Sequence, residues 1–515
     1  MSNDPAASRS VPTPVKLVGA GPGDPGLITV AGADFLRRCD CVVHDRLANP
    51  ELLELAPDTA ERVYVGKTPG QKSTSQDEIN ALLIEKCRAG KDVVRLKGGD
   101  PLLFGRGGEE ATALRRAGLP FRIVPGITAA LAAAAYAGLP LTDRRLAGTL
   151  AILPGHVDPK HPERAERNIQ AVAQCDTIVL YMGVGNLTET VRSLIQAGKD
   201  ADTPAAIVEN ATHPTQRTVI GTLTELPELA ERADVHPPAL IVISPAVQLR
   251  RQIGWYEDLP LFGKTLLVTR TRTQASELSV RLRELGASVI EAPAIEITAP
   301  EDLSEVDATL ADAGRYDWLI LTSPNGVRAM GQRLDSLQLD ARSLAGVRIA
   351  AIGPATARAL AERGLRPDLI PKTHTTAALA EALVEQMGPR PSRLVLMRSD
   401  LATAALPNAL RDAGHHVTDL TLYQTSRPAG LPEEASVALQ RREVDWVTFT
   451  SSSTVENFVA LMGGDLGLFK PVKLAAIGPV TAGALGRHGL SPTVTAEVHT
   501  IPGLVRAIAE YEDAE

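Results

Sequence analysis

Aromatic side chains make up only 3% of the 515 residues, so Ala, Val, Leu and Ile must fill the cores. Cysteine is scarcer still: Cys39, Cys41, Cys87 and Cys175 contain no pair with the C-x-x-C spacing of a zinc or redox site. They read as reduced, structural thiols. No apolar run approaches the roughly 20 residues of a membrane span, and the opening MSNDPAASRSVPTP lacks the apolar stretch of a secretory signal. Cytoplasm is the expected location, without a membrane, and residues 1–13 are expected to form a disordered tail. An excess of positive charge is also missing. Lys and Arg number 53 against 61 Asp and Glu, a net charge of -8. That balance argues against nucleic acid as a partner, whose phosphates require clustered cations; a local basic cleft for a small anion remains compatible with it.

Hydrophobic residues at 44% and charged residues at 22% are the balance of a globular chain, and the length calls for several cores rather than one. Apolar runs of strand length alternate with helical patterns: VKLVGAG, CVVHD, DVVRLKG, FRIVPG, TIVLYMG and ALIVIS. This is the rhythm of parallel α/β domains. The stretch from Arg251 to Leu261 interrupts it with Trp255, Tyr256 and Pro260, and the strand TLLVTR follows. It is expected to be a linker between two halves.

The second half repeats itself. Arg270 matches Arg398, Gly286 matches Gly414, and DWLILTSPNGV from Asp317 matches DWVTFTSSSTV from Asp445, all at a shift of 128 residues. RIAAIGPATARALAERGL from Arg348 matches KLAAIGPVTAGALGRHGL from Lys473, and His374-Thr375 matches His499-Thr500, at a shift of 125. Two α/β units on one duplicated plan follow from this. The pairs Thr322-Ser323 and Thr450-Ser451, and the turns Gly353 to Thr356 and Gly478 to Thr481, each end an apolar strand and open a helix. Such turns either cap the helix or hold an anion at its N-terminus.

In the first half, Gly19-Ala20-Gly21-Pro22-Gly23-Asp24 follows a strand but does not make a dinucleotide fingerprint. Asp24 stands at the third glycine, and Pro22 removes a backbone donor. This weighs against a dehydrogenase. The motifs GAGPGDPGLIT from Gly19, HDRL from His44, VGK ending at Lys67, RLKGGDPLLFGRGGEE from Arg95, VPGITAA from Val124, YMG from Tyr181, PTQRTVIGTL from Pro214 and PPALIVIS from Pro237 resemble those of uroporphyrinogen-III C-methyltransferases, in order, over residues 14–250.

That resemblance implies subdomains of about 14–135 and 140–250 with S-adenosylmethionine between them. Pro22, Gly98, Gly99, Asp100, Leu103, Thr128, Ala129, Met182 and Ala211 would contact the cofactor. Asp45 would accept the proton released after methyl transfer and Lys67 would act as donor. Arg95, Lys97, Arg106, Arg144 and Arg217 would meet the substrate's carboxylates, a task suited to guanidinium groups. The sequence departs from the family's usual residues at His44, Lys72, Asp143 and Ala211. A homodimer through this half is implied by the same analogy.

Residues 262–510 are similar to uroporphyrinogen-III synthase in VTRTR from Val268, LTLYQTSRP from Leu420, FTSSSTVENF from Phe449, AAIGPVTAGAL from Ala475 and HTIPGLV from His499. This similarity implies two flavodoxin-like domains, 262–297 with 427–510 and 299–423, joined by a two-strand linker around a linear tetrapyrrole. Tyr423 would assist departure of the substrate hydroxyl. Arg270, Thr322, Ser323, Thr356, Thr450, Ser451 and Thr481 would bind the substrate. The whole is expected to be α/β, a two-subdomain methylase fold followed by the two flavodoxin-like domains. A methyltransferase joined to a non-catalytic tetrapyrrole-binding sensor is the alternative.

Overall fold

The apolar runs become twenty strands in four five-stranded sheets in the computed structural model, which describes residues 13–66, 74–155, 162–270, 272–463, 466–469 and 471–514. The expected tail therefore lies, except for Thr13, outside the described residues, as do Lys67 and Lys72. The chain divides into two units, one of Met1–Lys264 with Leu282–Ser288 and Glu512–Glu515, the other of Thr265–Arg281 with Val289–Tyr511. Among the described residues no helix is long and apolar enough to cross a membrane.

The first sheet of the first unit contains β1 (Val15–Gly19), β2 (Cys41–His44), β3 (Glu61–Tyr64), β4 (Val93–Lys97) and β5 (Phe121–Val124) in the order β3-β2-β4-β1-β5. Every pairing is parallel. β1 and β4 are buried along their whole length, as strands covered on both faces must be. The chain leaves β1 toward β2 on one side and β4 toward β5 on the other. The order thus reverses between β1 and β4, where open parallel sheets form a ligand crevice.

The second sheet departs from the expected parallel rhythm. It holds β6 (Leu150–Pro154), β7 (Thr177–Tyr181), β8 (Pro204–Glu209), β9 (Arg217–Thr222) and β10 (Ala239–Ile243) in the order β6-β7-β10-β8-β9. Only β6 and β7 run parallel; β10 opposes both β7 and β8, and β8 opposes β9. Residues 210–216, which join β8 to β9, are too few for the crossover of about a dozen residues that a parallel pair requires.

The segment expected as a linker is bound into this unit. Trp255 Nε1 donates to the Ala135 carbonyl at 2.9 Å and the Tyr256 hydroxyl to that of Thr212 at 3.2 Å. Glu257 accepts from Gln216 at 2.8 Å, Thr218 at 2.6 Å and Arg250 at 2.7 Å. The rings of Tyr136, Trp255, Tyr256 and Phe262 meet at centroid distances of 4.8 to 5.5 Å. Scarce aromatics are concentrated here because an irregular segment needs large side chains to bury enough area.

In the second unit, β11 (Thr265–Val268), β12 (Ser288–Glu291), β18 (Trp446–Phe449), β19 (Lys473–Ala476) and β20 (Val494–Thr495) form a sheet ordered β12-β11-β18-β19-β20. The other is ordered β13-β17-β16-β14-β15, from β13 (Glu296–Thr298), β14 (Trp318–Leu321), β15 (Arg348–Ala351), β16 (Arg393–Ser399) and β17 (His416–Ser426). The sequence repeat makes β16 equivalent to β11, β14 to β18 and β15 to β19. Equivalent strands occupy equivalent places, since β17-β16-β14-β15 superposes in order on β12-β11-β18-β19. Both read as the flavodoxin-like order, entered at different points of the chain. β13 pairs antiparallel with the end of β17, Glu296 opposite Ser426 and Ile297 opposite Thr425.

All four cysteines are free, and Cys39, Cys41 and Cys87 are buried. Burial pushes the Cys39 thiol up to about 11, which keeps it protonated and unreactive.

Candidate active site

A cavity of about 750 Å³ opens beyond the carboxyl ends of β1 and β4 in the first unit. Its floor is backbone. Gly99 donates to the Gly21 carbonyl at 2.7 Å, and Ala20 donates to that of Lys97 at 2.7 Å, so the two strands stay joined past their ends. A Cβ on Gly126 would lie 2.2 Å from the Gly99 carbonyl oxygen, which restricts this position to glycine. Gly99 itself has φ +67°.

The cavity wall brings together, from distant parts of the chain, Pro22, Asp45, Arg95, Lys97, Gly98, Gly99, Asp100, Leu103, Arg106, Thr128, Ala129, Met182 and Ala211. Phe104, Arg106, Met182 and Asn210 line it with φ between 48° and 57°. Non-glycine residues are costly in this conformation, and such strain gathers where a ligand is gripped.

Asp100 has its oxygens occupied by backbone. Oδ1 accepts from Leu102 at 2.8 Å and Leu103 at 3.2 Å, and Oδ2 accepts from Gly126 at 3.0 Å. It therefore shapes the turn after β4 and ties it to the end of β5. The Tyr181 hydroxyl lies 2.5 Å from Thr128 Oγ1 and accepts from the Ala130 amide at 2.8 Å, while the ring stands 5.0 Å from that of Phe104. Burial raises the Tyr181 pKa, so the hydroxyl remains a neutral donor and acceptor.

Asp24 points elsewhere. Its carboxylate accepts from the Gly26 amide at 2.7 Å and from the Tyr136 hydroxyl, and its amide donates to Thr212 Oγ1 at 3.0 Å. It pins the glycine loop to the second sheet's side of the unit.

Beneath Asp45 lies a cluster of charge. Arg95 Nη2 donates to Asp45 Oδ2 at 3.2 Å and Nε to Glu110 Oε1 at 3.2 Å; Lys97 Nζ donates to the same Glu110 oxygen at 2.8 Å. Burial, followed by the Arg95 charge, lowers the Lys97 pKa. Glu110, Gln76, Tyr181, Asn210 and His213 belong to the site or its support although sequence reasoning singled out none of them. Glu110 stood in plain view in GRGGEE, but which of the two glutamates faces inward depends on helix phase.

Two arginines expected at the substrate do not line this cavity. Arg144 is exposed elsewhere. Arg217 is engaged by Glu209, at 3.0 Å from its Nε, and by the carbonyls of Ala233 and Asp234 at 2.9 and 3.2 Å, so it fastens β9 to β8. Arg106 reaches the wall but shares its guanidinium with Glu109 at 2.7 and 2.8 Å.

In the second unit Ser323 and Ser451 cap the helices Pro324–Ser336 and Ser452–Leu461, accepting from Gly326 at 3.0 Å and Thr454 at 3.2 Å. Thr322 and Thr450 are half-buried just before them. Thr356 and Thr481, expected as ligand contacts, are 1% and 3% exposed. Helical periodicity is the reason: Thr356 shares its face with Ala359 and Leu360, and Thr481 with Ala484 and Leu485, and these faces are buried. Their side chains present no surface to a ligand in this conformation. Tyr423 is 7% exposed, with its hydroxyl 2.9 Å from Ser323 Oγ. Burial lowers the Arg270 pKa against the pull of Glu277.

Known families match the two halves of the chain separately. Residues 14–227 match the family described as Tetrapyrrole (Corrin/Porphyrin) Methylases, and residues 276–506 match Uroporphyrinogen-III synthase HemD. A Porphyrin biosynthesis protein HemD of Ruminiclostridium josui is 38% identical over 503 residues, 96% of this chain and 97% of the relative. The Uroporphyrinogen-III C-methyltransferase of Bacillus subtilis (strain 168) is 39% identical over 331 residues, 64% of this chain and 68% of the relative. The solved structure of Uroporphyrin-III C-methyl transferase from Thermus thermophilus complexed with S-adenyl homocysteine is 41% identical, covering 46% of this chain and 99% of that one, with a TM-score of 0.40. The chain belongs to the family of two-part porphyrin biosynthesis enzymes in which a tetrapyrrole C-methyltransferase is followed by a uroporphyrinogen-III synthase.

Proposed function

We propose that the second unit cyclises hydroxymethylbilane to uroporphyrinogen III with inversion of the last pyrrole, and that the first methylates that product twice with S-adenosylmethionine to give precorrin-2. The observation that carries the methyl-transfer reading is the cavity at the β1/β4 crevice, whose walls gather Gly98, Gly99, Asp100, Thr128, Met182 and Ala211 from separate motifs. A floor of bare backbone and walls that are mainly apolar fit a nucleoside-like sulfonium, with backbone amides and carbonyls for its polar edges.

The cofactor supplies an electrophilic methyl group, and the substrate pyrrole carbon is the nucleophile. Gly98–Asp100 and Thr128–Ala129 hold the methyl donor and Arg106 meets a carboxylate of the macrocycle, so catalysis is largely positioning. Arg95 and Lys97, expected at the substrate, are each 3% exposed and paired with Asp45 and Glu110, and support the site from behind. Asp45 then takes the proton lost from the methylated pyrrole. The family resemblance gives Lys67, which lies outside the described residues, the role of donor. Departure of hydroxide in the second reaction is driven by the pyrrole nitrogen, with Tyr423 assisting and Arg270 meeting carboxylate. The protein acts in the cytoplasm, as a homodimer through its first unit.

Incubation of the full chain with hydroxymethylbilane and S-adenosylmethionine tests this reading. Mass and isomer analysis should find precorrin-2 with both substrates and uroporphyrinogen III without the methyl donor. Uroporphyrinogen I alone would refute the synthase reading and support the sensor alternative.

A further inference from the structure

Glu110 is a carboxylate with no exposed surface, on the inward face of its helix. In Gly107–Arg116 the inward stripe is Gly107, Glu110, Ala111 and Leu114, while the neighbouring Glu109 faces solvent and pairs with Arg106. A charge on such a stripe is tolerated only with partners. Its partners all converge on one oxygen: Oε1 accepts from Lys97 at 2.8 Å, Arg95 at 3.2 Å and Gln76 at 3.4 Å, and Oε2 has no partner among the described residues.

Arg95 and Lys97 lie two positions apart on β4, hence on the same face of the sheet, and each is 3% exposed. Two buried cations side by side repel each other. Glu110 stands between them. The Arg95 guanidinium is then held on every side: Nε by Glu110, Nη1 by the carbonyls of Val43 and Leu96 at 3.3 and 3.1 Å, and Nη2 by Asp45. Arg95 and Lys97 meet the cavity with almost no exposed surface, whereas Asp45, at the far end of this chain of alternating charge, has a side chain 28% exposed.

We propose that Glu110 is a positioning residue for methyl transfer, aiming Arg95 at Asp45 and balancing the two cations behind it. The proposal rests on the reading of Asp45 as proton acceptor. With Glu110 charged, the cluster Asp45, Arg95, Lys97 and Glu110 is neutral, and Asp45 feels one guanidinium whose attraction is shared. Without that charge, Asp45 faces two unbalanced cations and becomes a poorer base. Among the described residues, the other charged or titratable groups around the cluster are His44 and Arg46 beside Asp45, Asp77 on the helix Gln76–Arg88, and the Arg106–Glu109 pair at the rim.

The test uses the full chain, with uroporphyrinogen III and S-adenosylmethionine, and reads kcat for methyl transfer against pH. Glu110→Gln keeps the shape and one acceptor oxygen. It should bind S-adenosylhomocysteine as the parent does, lower the plateau kcat by ~10-fold, and move the acid limb down by about one pH unit. Lys97→Met and Lys97→Met/Glu110→Gln form a second pair with less buried positive charge, which serves even if Glu110→Gln does not fold. The double variant's acid limb should lie below that of Lys97→Met. A folded Glu110→Gln enzyme with parental kcat and acid limb overturns the proposal. So does a fall in kcat that tracks lost Tm and lost ligand affinity while both limbs stay in place, since Glu110 is then only structural. Asp45→Asn separates the two readings: if it leaves kcat intact, the assignment of Asp45 fails; if it abolishes turnover while the Glu110 variants behave as parent, this inference alone fails.

Discussion

The hydroxyl of Tyr423 lies 2.9 Å from Oγ of Ser323, across the gap between the end of β17 and the first turn of Pro324–Ser336. Ser323 is already committed to the Gly326 amide at 3.0 Å, so the phenol is oriented by a hydroxyl that is itself fixed. Replacing Tyr423 with Phe keeps the packed ring and removes only this contact. If the phenol assists hydroxide departure, synthase turnover should fall by ~10- to 100-fold. The type I isomer should rise as released hydroxymethylbilane cyclises unaided, and methylation of supplied uroporphyrinogen III should be unaffected. A parental rate and isomer ratio would make Tyr423 a packing residue.

Asp100 accepts three backbone amides at the cavity wall. Asp100→Ala leaves these donors without their acceptor, a loss of about 1–3 kcal/mol for those cut off from water, and frees the turn that carries Gly98 and Gly99. Calorimetry should show S-adenosylhomocysteine affinity reduced at least ~10-fold, the equivalent of about 1.4 kcal/mol. Unchanged affinity would remove Asp100 from the cofactor site.

The packing of Trp255, Tyr256 and Glu257 alters where the halves should be separable. A fragment ending at Gln252 loses the ring cluster around Tyr136, whose hydroxyl holds Asp24 of the glycine loop. It should melt several degrees below a fragment ending at Gly263 and bind S-adenosylhomocysteine more weakly. Equal Tm and affinity in the two fragments would show that the segment contributes nothing to the loop.

His213 lines the cavity, and burial holds its pKa below the ordinary value near 6.5; burial does the same at His44. As pH falls below that value, the unfolded chain takes up protons before the folded one, so stability is full above it and is lost toward the depressed folded pKa. The Tm of the parent should decline between about pH 7 and 5, and His213→Asn should make that decline shallower. Identical slopes would mean that His213 protonates without cost in the folded state.

Much of this protein is legible in one dimension. The runs that became β1, β4, β7 and β10, the duplicated plan of the second half, and the motifs that line the cavity are all visible in the chain, because strand cores and the loops after them are contiguous stretches. The repeat even located β11 and β16 as equivalents before either was placed in a sheet. Pairing direction was not visible: VIGT and ALIVI read alike in either sense, and only the short connection after Glu209, together with the partners available, made the second sheet mixed. Side-chain facing was equally hidden. Thr356 and Thr481 follow inviting turns, yet helix phase put them against the core, and the same phase turned Glu110 inward and Glu109 out. Arg217 was drawn to Glu209 across a strand pair, and Trp255 and Tyr256 found Tyr136 more than a hundred residues away. Sequence by itself determined the local elements, their order and the chemistry carried at their ends. Only the tertiary structure decided which charges were consumed by partners and which remained for a substrate, because that depends on contacts between residues far apart in the chain.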